Sequence, residues 1–225
     1  MTAQSIVLDI YSAIEDAKSV KKVARLVRQL LNSSGDENVP VVPVPIAQRH
    51  PLGFFALSWP IDQLRVLRLH YWSKHFDWTQ SDYFQVHDHT FGFTSAVISG
   101  RIRNDIYSIH DDVHGSTLYI TSYEQGESRL SPQPDRVVPI LESSHSYDSG
   151  SFYKMSPGAF HRSVLESDSG LTILATSYQS MSRDGARVIG LDSNDRLAFQ
   201  RSALDDHLVE QVMFSIREVF RKSIT

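Results

Sequence analysis

The strongest chemical signal in the sequence is a pair of histidines, His87 and His89, separated by one aspartate. On a β-strand, residues two positions apart point to the same face, so both imidazoles would converge on one point while Asp88 points the other way. Neutral imidazole suits a borderline divalent transition metal as a ligand. The pair alone is a weak indication of a metal site, because two surface histidines can share this spacing by chance.

A second segment, from Gly150 to His161, strengthens the metal interpretation. It contains a glycine turn, a short strand, a Pro-Gly turn at Gly158 and then the histidine. Such a turn returns the chain beside its neighbour, so His161 could meet His87 and His89 inside a barrel. Three protein ligands leave coordination positions open, and a catalytic metal needs open positions.

Together, the two segments resemble the two motifs of the cupin superfamily. Gly100 follows the histidine pair as the first motif requires. Gly150, Gly158 and His161 match the spacing of the second motif. The match covers about residues 83–165. The resemblance implies an all-β core, the cupin double-stranded β-helix or jelly-roll barrel, a metal held by the three histidines, and a homodimer.

The sequence departs from the usual cupin pattern at the family's glutamate, whose position falls on Phe93 or Thr94. The site is therefore similar to that of cysteine dioxygenase and other thiol dioxygenases, which hold iron(II) with three histidines. Three neutral ligands leave the full positive charge on the iron. An anionic substrate, such as a thiolate or a carboxylate, can then bind and favour electron donation to O2.

Two further residues, Tyr178 and Arg68, are candidates for catalytic contacts. Tyr178 lies at about the distance beyond His161 at which cysteine dioxygenase has a tyrosine. It could donate a hydrogen bond to bound oxygen or substrate; ordinary strand packing is the alternative. Arg68 shares one strand face with His70. Pointing into the barrel, it would bind a substrate carboxylate through two hydrogen bonds, and pointing outward it would be solvated.

Other features of cysteine dioxygenase are missing from this sequence. A cysteine cross-linked to tyrosine has no counterpart at Phe93, because the chain contains no cysteine. Thr176 replaces a histidine of that family. The arginine that binds the substrate carboxylate would come from an early strand, and 54–59 contains none. The resemblance therefore leaves the substrate open between thiols, amino acid derivatives and other small polar molecules.

The elements that must position these residues are mostly β-strands. From about 53 to 201, short runs of β-branched and aromatic residues alternate with turn-forming residues, which predicts a sandwich or a barrel. The proline-rich residues 36–52 are expected to be extended and unable to pair fully. The predicted strands are 54–59, 64–72, 94–99, 101–109, 116–123, 136–141, 151–155, 163–166, 171–178, 186–191 and 196–201.

One helical segment is predicted before the barrel in the sequence and another after it. Apolar residues recur at helical spacing across 4–32, within an N-terminal helical segment 1–35, and again across 202–222. The basic residues of the first helix fall mostly on its other faces and are expected to be solvated. The N-terminal segment is too short for an independent core, so 1–225 is predicted to be one cupin domain.

Composition and net charge limit which cellular compartment and which binding partners are expected. A formal net charge of -4 offers no long-range attraction to phosphate groups, so nucleic acid and anionic membranes are not expected partners. The lack of cysteine excludes disulfides, zinc–thiolate sites and a cysteine nucleophile. There is no signal-peptide pattern and no apolar run of about 18 residues, which indicates a cytoplasmic protein.

The leading functional hypothesis is an iron(II) enzyme, an oxidase or dioxygenase that acts on a small polar molecule with O2. The open metal face and the missing carboxylate motivate this hypothesis. One alternative is a zinc, nickel or manganese cupin that catalyses isomerisation or a lyase reaction without redox chemistry. The other is a cupin that binds a small molecule without converting it.

Overall fold

The computed structural model describes residues 3–32, 44–76, 84–124, 126–178, 185–190, 197–201 and 206–222. Within these ranges, antiparallel strands form the body of the protein and helices lie near both ends of the chain. The helices are α1 (Ala3–Glu15), α2 (Val20–Asn32) and α3 (Asp206–Lys222). The strands are β1 (Ile46–His50), β2 (Phe54–Pro60), β3 (Arg65–Ser73), β4 (Phe91–Ser99), β5 (Arg101–Glu124), β6 (Glu127–Asp148), β7 (Phe152–Met155), β8 (Phe160–Leu165), β9 (Ser169–Tyr178), β10 (Arg187–Gly190) and β11 (Ala198–Gln200).

These strands form two antiparallel sheets. The first sheet has the order β1-β2-β3-β9-β4-β7 and the second the order β10-β5-β6-β11, with β8 paired to β5. Strand β4 leads directly into β5 at Gly100, where φ is 79° and an added Cβ would lie 2.4 Å from the carbonyl oxygen of Ser169. Only glycine fits this link between the sheets. The arrangement confirms the predicted all-β core with helices near its ends.

Strand β3 shows that the first sheet has two different faces. Leu67 and Leu69 are fully buried in the core that includes the helices. Arg68, His70 and Trp72 alternate with them and line a cavity on the other side of the sheet. Successive side chains of a strand point to opposite faces. One face of this sheet therefore packs against helices, and the other forms a wall of the barrel interior.

The helices cover the outer face of the first sheet with apolar side chains. The basic residues of α2 are exposed, which confirms the prediction that they form a solvated face. The helical residues buried in this core are Ile6, Val7, Ile10, Tyr11, Ala13, Ile14, Val20, Val23, Leu26, Val27, Leu30, Leu31, Val212, Ile216 and Phe220.

Among the described residues, no helix combines the length and the apolar character that crossing a bilayer requires.

Some predicted boundaries are wrong. The single helix predicted over 4–32 is two helices, because the chain turns after Glu15 and Ala17 adopts a φ of 47°. Strand β1, in the stretch expected not to pair fully, pairs along its whole length with β2. It contains no proline, and it lies at the sheet edge, where only one side needs a partner.

The second sheet also has longer strands than predicted. The runs 101–109 and 116–123 belong to one strand, β5, and 136–141 is only the middle of β6. The turn-forming residues between the two runs are absorbed as an irregularity, since the β5–β6 register shifts between Asp111 and Ser116. Residues 191 and 196, predicted in strands, and 202–205, predicted in the last helix, lie outside the described residues.

Candidate metal centre

The three histidines singled out as metal ligands lie together inside the barrel. One ring nitrogen from each of His87, His89 and His161 falls within 4.8 Å of the others. The ring centroids are 4.5 Å apart for His87 and His161, and 5.1 Å apart for His89 and His161. Within the described ranges, no aspartate or glutamate joins this group. A group of three nitrogen donors at this spacing could bind one metal ion.

Backbone hydrogen bonds fasten the two ligand segments to each other. The backbone N–H of His87 donates to the carbonyl of His161 at 3.0 Å, and the N–H of His161 donates back at 2.8 Å. Gly158 donates from its N–H to the carbonyl of His89 at 2.8 Å, with a φ of 77° that favours glycine. The Pro-Gly turn thus brings the third imidazole beside the first two.

The segment carrying the histidine pair is not a regular strand, which differs from the prediction. His87 makes one isolated β-bridge on each side, to His161 and to Val188, and β4 begins only at Phe91. Backbone hydrogen bonds of Asp88 with Arg187 and of His89 with Gly158 hold the residues that follow His87. Both rings nevertheless turn toward His161, as the ring distances show.

Asp88, between the two histidines, points away from the metal group as expected. Its carboxylate is completely buried and accepts hydrogen bonds from Arg187, at 2.7 Å from the backbone N–H and at 2.8 Å from Nε. The Arg187 guanidinium in turn lies 4.5 Å from the centroid of the Phe160 ring. This anchor ties the histidine segment to β10 and limits its rotation.

Neighbouring carbonyls set the tautomers of two of the histidines. Nδ1 of His87 lies 2.9 Å from the carbonyl oxygen of Gln85, and Nδ1 of His161 lies 3.1 Å from that of Ala159. A carbonyl oxygen can only accept, so each Nδ1 must carry the hydrogen. The lone pair of each Nε2 is therefore left for a metal, and this is the usual support for a histidine ligand.

All three imidazoles are neutral at neutral pH. Burial, together with the neighbouring His87, lowers the pKa of His161 to about 3. Burial also lowers the pKa of His87, although the Gln85 carbonyl opposes the shift. The pKa of His89 lies well below its ordinary value, first because of burial and then because of His87 and His161. A metal requires the neutral form of histidine, so the three rings are ready to bind one.

An aromatic ring stands at Phe93, one of the two positions at which the resemblance to the cupin motif would place a glutamate. The Phe93 ring centroid lies 5.7 Å from that of His89 and 6.4 Å from that of His161. Thr94, the other candidate position, is the next residue on the strand and points to the opposite face. The group of three histidines therefore has an apolar neighbour in place of an anionic ligand.

Arg68 points into the barrel, which selects one of the two orientations that the sequence left open. Its Nη2 donates to the hydroxyl of Tyr178 at 3.0 Å, and its guanidinium lies 4.8 Å from the Phe91 ring centroid. Arg68 and Tyr178 both line a cavity of about 440 Å³ together with His89. An arginine side chain, which 54–59 does not provide, thus enters the cavity from the next strand.

Two more residues line this cavity, His50 and Arg201, and the sequence analysis did not single them out. His50 ends β1, in the proline-rich part of the chain, and Arg201 follows the short strand β11. Neither belongs to a motif, so no local signal in the sequence marks them. Nδ1 of His50 accepts a hydrogen bond from the Leu52 N–H at 3.3 Å. In the neutral ring, Nε2 must then carry the hydrogen, so His50 offers a donor.

Comparison with known proteins adds a set of solved structures with similar folds. No family model matches the sequence, and no curated protein matches it. An RmlC-like cupin from Shewanella frigidimarina is 12% identical, with a TM-score of 0.37, and the match covers 64% of this chain and 93% of that one. Solved structures similar to this chain thus include cupins.

Two of the similar structures are enzymes by their descriptions. Oxalate decarboxylase from Bacillus subtilis is 12% identical, with a TM-score of 0.35, and the match covers 76% of this chain and 35% of that one. A DMSP lyase structure is 14% identical, with a TM-score of 0.37, and the match covers 80% of this chain and 75% of that one. These similarities concern the fold alone.

Proposed function

We propose that this chain is a metal-dependent cupin oxidoreductase that uses iron(II) and O2 to oxidise a small anionic molecule. The observation that carries the proposal is a group of three neutral imidazoles, with no carboxylate from the described part of the chain, beside a cavity that contains an arginine. His87, His89 and His161 would hold the ion through three nitrogen atoms. Bound iron(II) would supply the redox chemistry and the open coordination positions that O2 and substrate require.

The substrate would be held by Arg68. A guanidinium binds a carboxylate through two parallel hydrogen bonds, and a partly buried arginine binds it more strongly than a solvated one. The Nε of Arg68 is buried and has no hydrogen-bond partner among the described residues. One hydrogen of Nη2 goes to the Tyr178 hydroxyl, and the other Nη hydrogens of the Arg68 side chain, which lines the cavity, would be the donors to a carboxylate.

Tyr178 would donate a hydrogen bond to the substrate or to bound oxygen. Arg68 can only donate, so the hydroxyl oxygen of Tyr178 is the acceptor in their contact. The phenol hydrogen is then free to point toward another acceptor in the cavity. The rings of Phe91 and Phe93 lie beside His89, at centroid distances of 4.7 Å and 5.7 Å, and would limit the access of water.

The test is metal loading without oxygen, followed by oxygen uptake. The purified protein is loaded with iron(II) anaerobically and mixed with oxygenated solutions of thiols, amino acids and hydroxylated amines. We expect uptake with at least one anionic compound. The Arg68→Gln variant should raise KM, because its substrate contact is lost, and Tyr178→Phe should lower kcat.

The matched control is Arg65→Gln, which changes an exposed arginine on the same strand whose partner is Asp62. Its KM should equal that of the unchanged protein. No uptake with any compound would contradict the proposal. Full occupancy by redox-inert zinc in protein from its natural source would also contradict it and favour isomerase or lyase chemistry.

A further inference from the structure

A second arginine faces the same cavity as Arg68, from the opposite sheet. Arg201 follows β11, and its Nε donates to the Ser128 hydroxyl on β6. Its guanidinium lies 4.8 Å from the centroid of the Tyr123 ring. Arg201 lines the cavity that also contains Arg68, His50 and His89. Two walls of one cavity therefore each present a guanidinium.

Neither of these arginines has an ion-pair partner among the described residues, in contrast to arginines outside the cavity. On the outer surface, Arg101, Arg103 and Arg162 each lie within 3.2 Å of a carboxylate oxygen. Arg68 and Arg201 instead contact aromatic rings and hydroxyl groups. A partly buried positive charge without a counter-ion is unfavourable, so a site with two such charges favours an anionic ligand.

The acidic side chains that the structure describes near the cavity do not neutralise this charge. Glu127 lines the cavity, but its Oε2 lies 2.6 Å from Nε of Arg129 and its Oε1 accepts from the side-chain amide of Gln200 at 3.2 Å. Glu124 is exposed at the edge. The pKa of Arg201 lies below its usual value, mainly because of burial, and the charge of Arg68 lowers it further. The two guanidinium groups therefore repel each other across the cavity.

We infer that the substrate carries two acidic groups, one bound by Arg68 and the other by Arg201, with the atoms between them beside His89. This inference rests on the proposed function only for the location of the reacting atoms. The His50 N–H adds a neutral donor to the same cavity. A volume of about 440 Å³ accommodates a small molecule with acids at both ends. The chemical class is a short-chain dicarboxylate or a molecule with an equivalent pair of acids.

The test compares pairs of acids of equal chain length by titration calorimetry. The probes are the dicarboxylates succinate, glutarate and adipate and the monocarboxylates butyrate, pentanoate and hexanoate, with metal-free and anaerobic iron(II)-loaded protein. We expect one dicarboxylate to bind at least about 10-fold more tightly than its monocarboxylate, since a hydrogen bond to a charged group has roughly this effect. Arg201→Gln should abolish the difference, because the second acid loses its partner and the dicarboxylate then binds no more tightly than its monocarboxylate.

Two more variants make the result specific. Arg201→Lys keeps the charge but loses the two-point contact, so it should retain part of the preference. Arg65→Gln, the exposed control, should retain all of it. Equal affinity for both members of every pair, or an unchanged preference in Arg201→Gln, would overturn the inference. Circular dichroism checks that each variant is folded.

The two proposals fail in different ways. If oxygen uptake with a monocarboxylic compound is seen but no preference for a second acid, the proposed function stands and the second acid site is refuted. If the metal-free protein prefers a dicarboxylate but iron(II) does not bind, the second acid site stands and the oxidoreductase is refuted.

Discussion

The two faces of the first sheet carry different kinds of side chain. On the helix face, neighbouring strands present Leu57, Leu69 and Ile173, all at most 1% exposed and all apolar. On the cavity face, alternate positions present Arg68 and His70. The same strands thus supply hydrophobic stabilisation on one side and chemistry on the other. Adjacent residues in the sequence should therefore have unrelated roles.

Aromatic stacking makes the cavity face rigid without making it apolar. The Phe54 ring stacks between His50, at a centroid distance of 4.1 Å, and His70, at 4.2 Å. The indole N–H of Trp72 donates to the hydroxyl of Thr172 at 3.2 Å. Ring contacts and satisfied donors hold these polar groups in place, so they can remain inside the barrel.

The largest expected effect is on the cavity face, where His161→Ala should abolish iron(II) binding. Removal of a ligand leaves two imidazoles, and the loss should exceed the roughly 10–100-fold that loss of a supporting partner costs. Metal content after anaerobic loading and desalting measures it. His145→Ala, an exposed histidine on β6, is the control and should bind one equivalent. If the His161 variant also keeps one equivalent, the three rings do not form the metal site.

On the helix face, Leu69→Ala should lower the free energy of unfolding by about 2–5 kcal/mol, because a fully buried leucine leaves a cavity. Urea denaturation measures the loss. The folded variant should bind iron(II) as tightly as the unchanged protein, because the side chain points away from the cavity. A stable variant with weakened iron binding would break the separation between the two faces.

A smaller effect is expected at the anchor of the histidine segment. Asp88→Asn keeps the size of the side chain but removes the charge that holds Arg187. We expect iron(II) affinity to fall by about 10–100-fold, as for other supporting partners of metal ligands. Competition with a chromogenic chelator measures the affinity. Asp111→Asn, exposed on β5, is the matched control; equal affinities for both variants would show that the anchor does not orient the histidines.

The smallest effect concerns pH. Burial lowers the pKa of His70 to about 3, with Arg68 adding to the shift, whereas an unfolded histidine titrates near 6.5. Between these values the unfolded state binds more protons, so the folded metal-free protein loses stability as the pH falls below 6.5. One such group contributes up to about 1.4 kcal/mol per pH unit.

A substitution of His70 tests this pH dependence on the cavity face of the first sheet. His70→Phe should make the pH dependence of the unfolding free energy shallower between pH 6.5 and 5, since a titrating group on the cavity face is lost. Urea denaturation at several pH values measures the slope. Parallel curves for the variant and the unchanged protein would show that His70 does not contribute.

The sequence predicted which residue types carry the chemistry of the cavity face better than it predicted where their side chains point. The three histidines could be found because their types and spacing form a motif. The orientation of Arg68 could not be decided, because β3 is buried on both faces and alternation alone does not say which face the helices cover. His50 and Arg201 could not be found at all, since they reach the cavity only through the pairing of β1 and β11.

The strand lengths could not be predicted from the sequence either. Turn-forming residues usually end a strand, and 110–115 contains several, yet β5 continues because β6 pairs with it on both sides of the irregularity. Tertiary pairing therefore overrode the local preference. The break in the first predicted helix does have a local signal, because Ser19 caps α2 by accepting a hydrogen bond from the Lys22 N–H at 3.3 Å.

The pairing of β3 with β9 has a consequence for how the protein matures. It joins residues about 100 positions apart, such as Trp72 and Thr172. Contacts of such long separation form late, because closing the intervening loop costs chain entropy. A nascent chain that ends before β8 has only one of the two histidine segments, so a metal ion held by all three histidines would be captured only after synthesis of most of the polypeptide. Occupancy would then report that the barrel has closed.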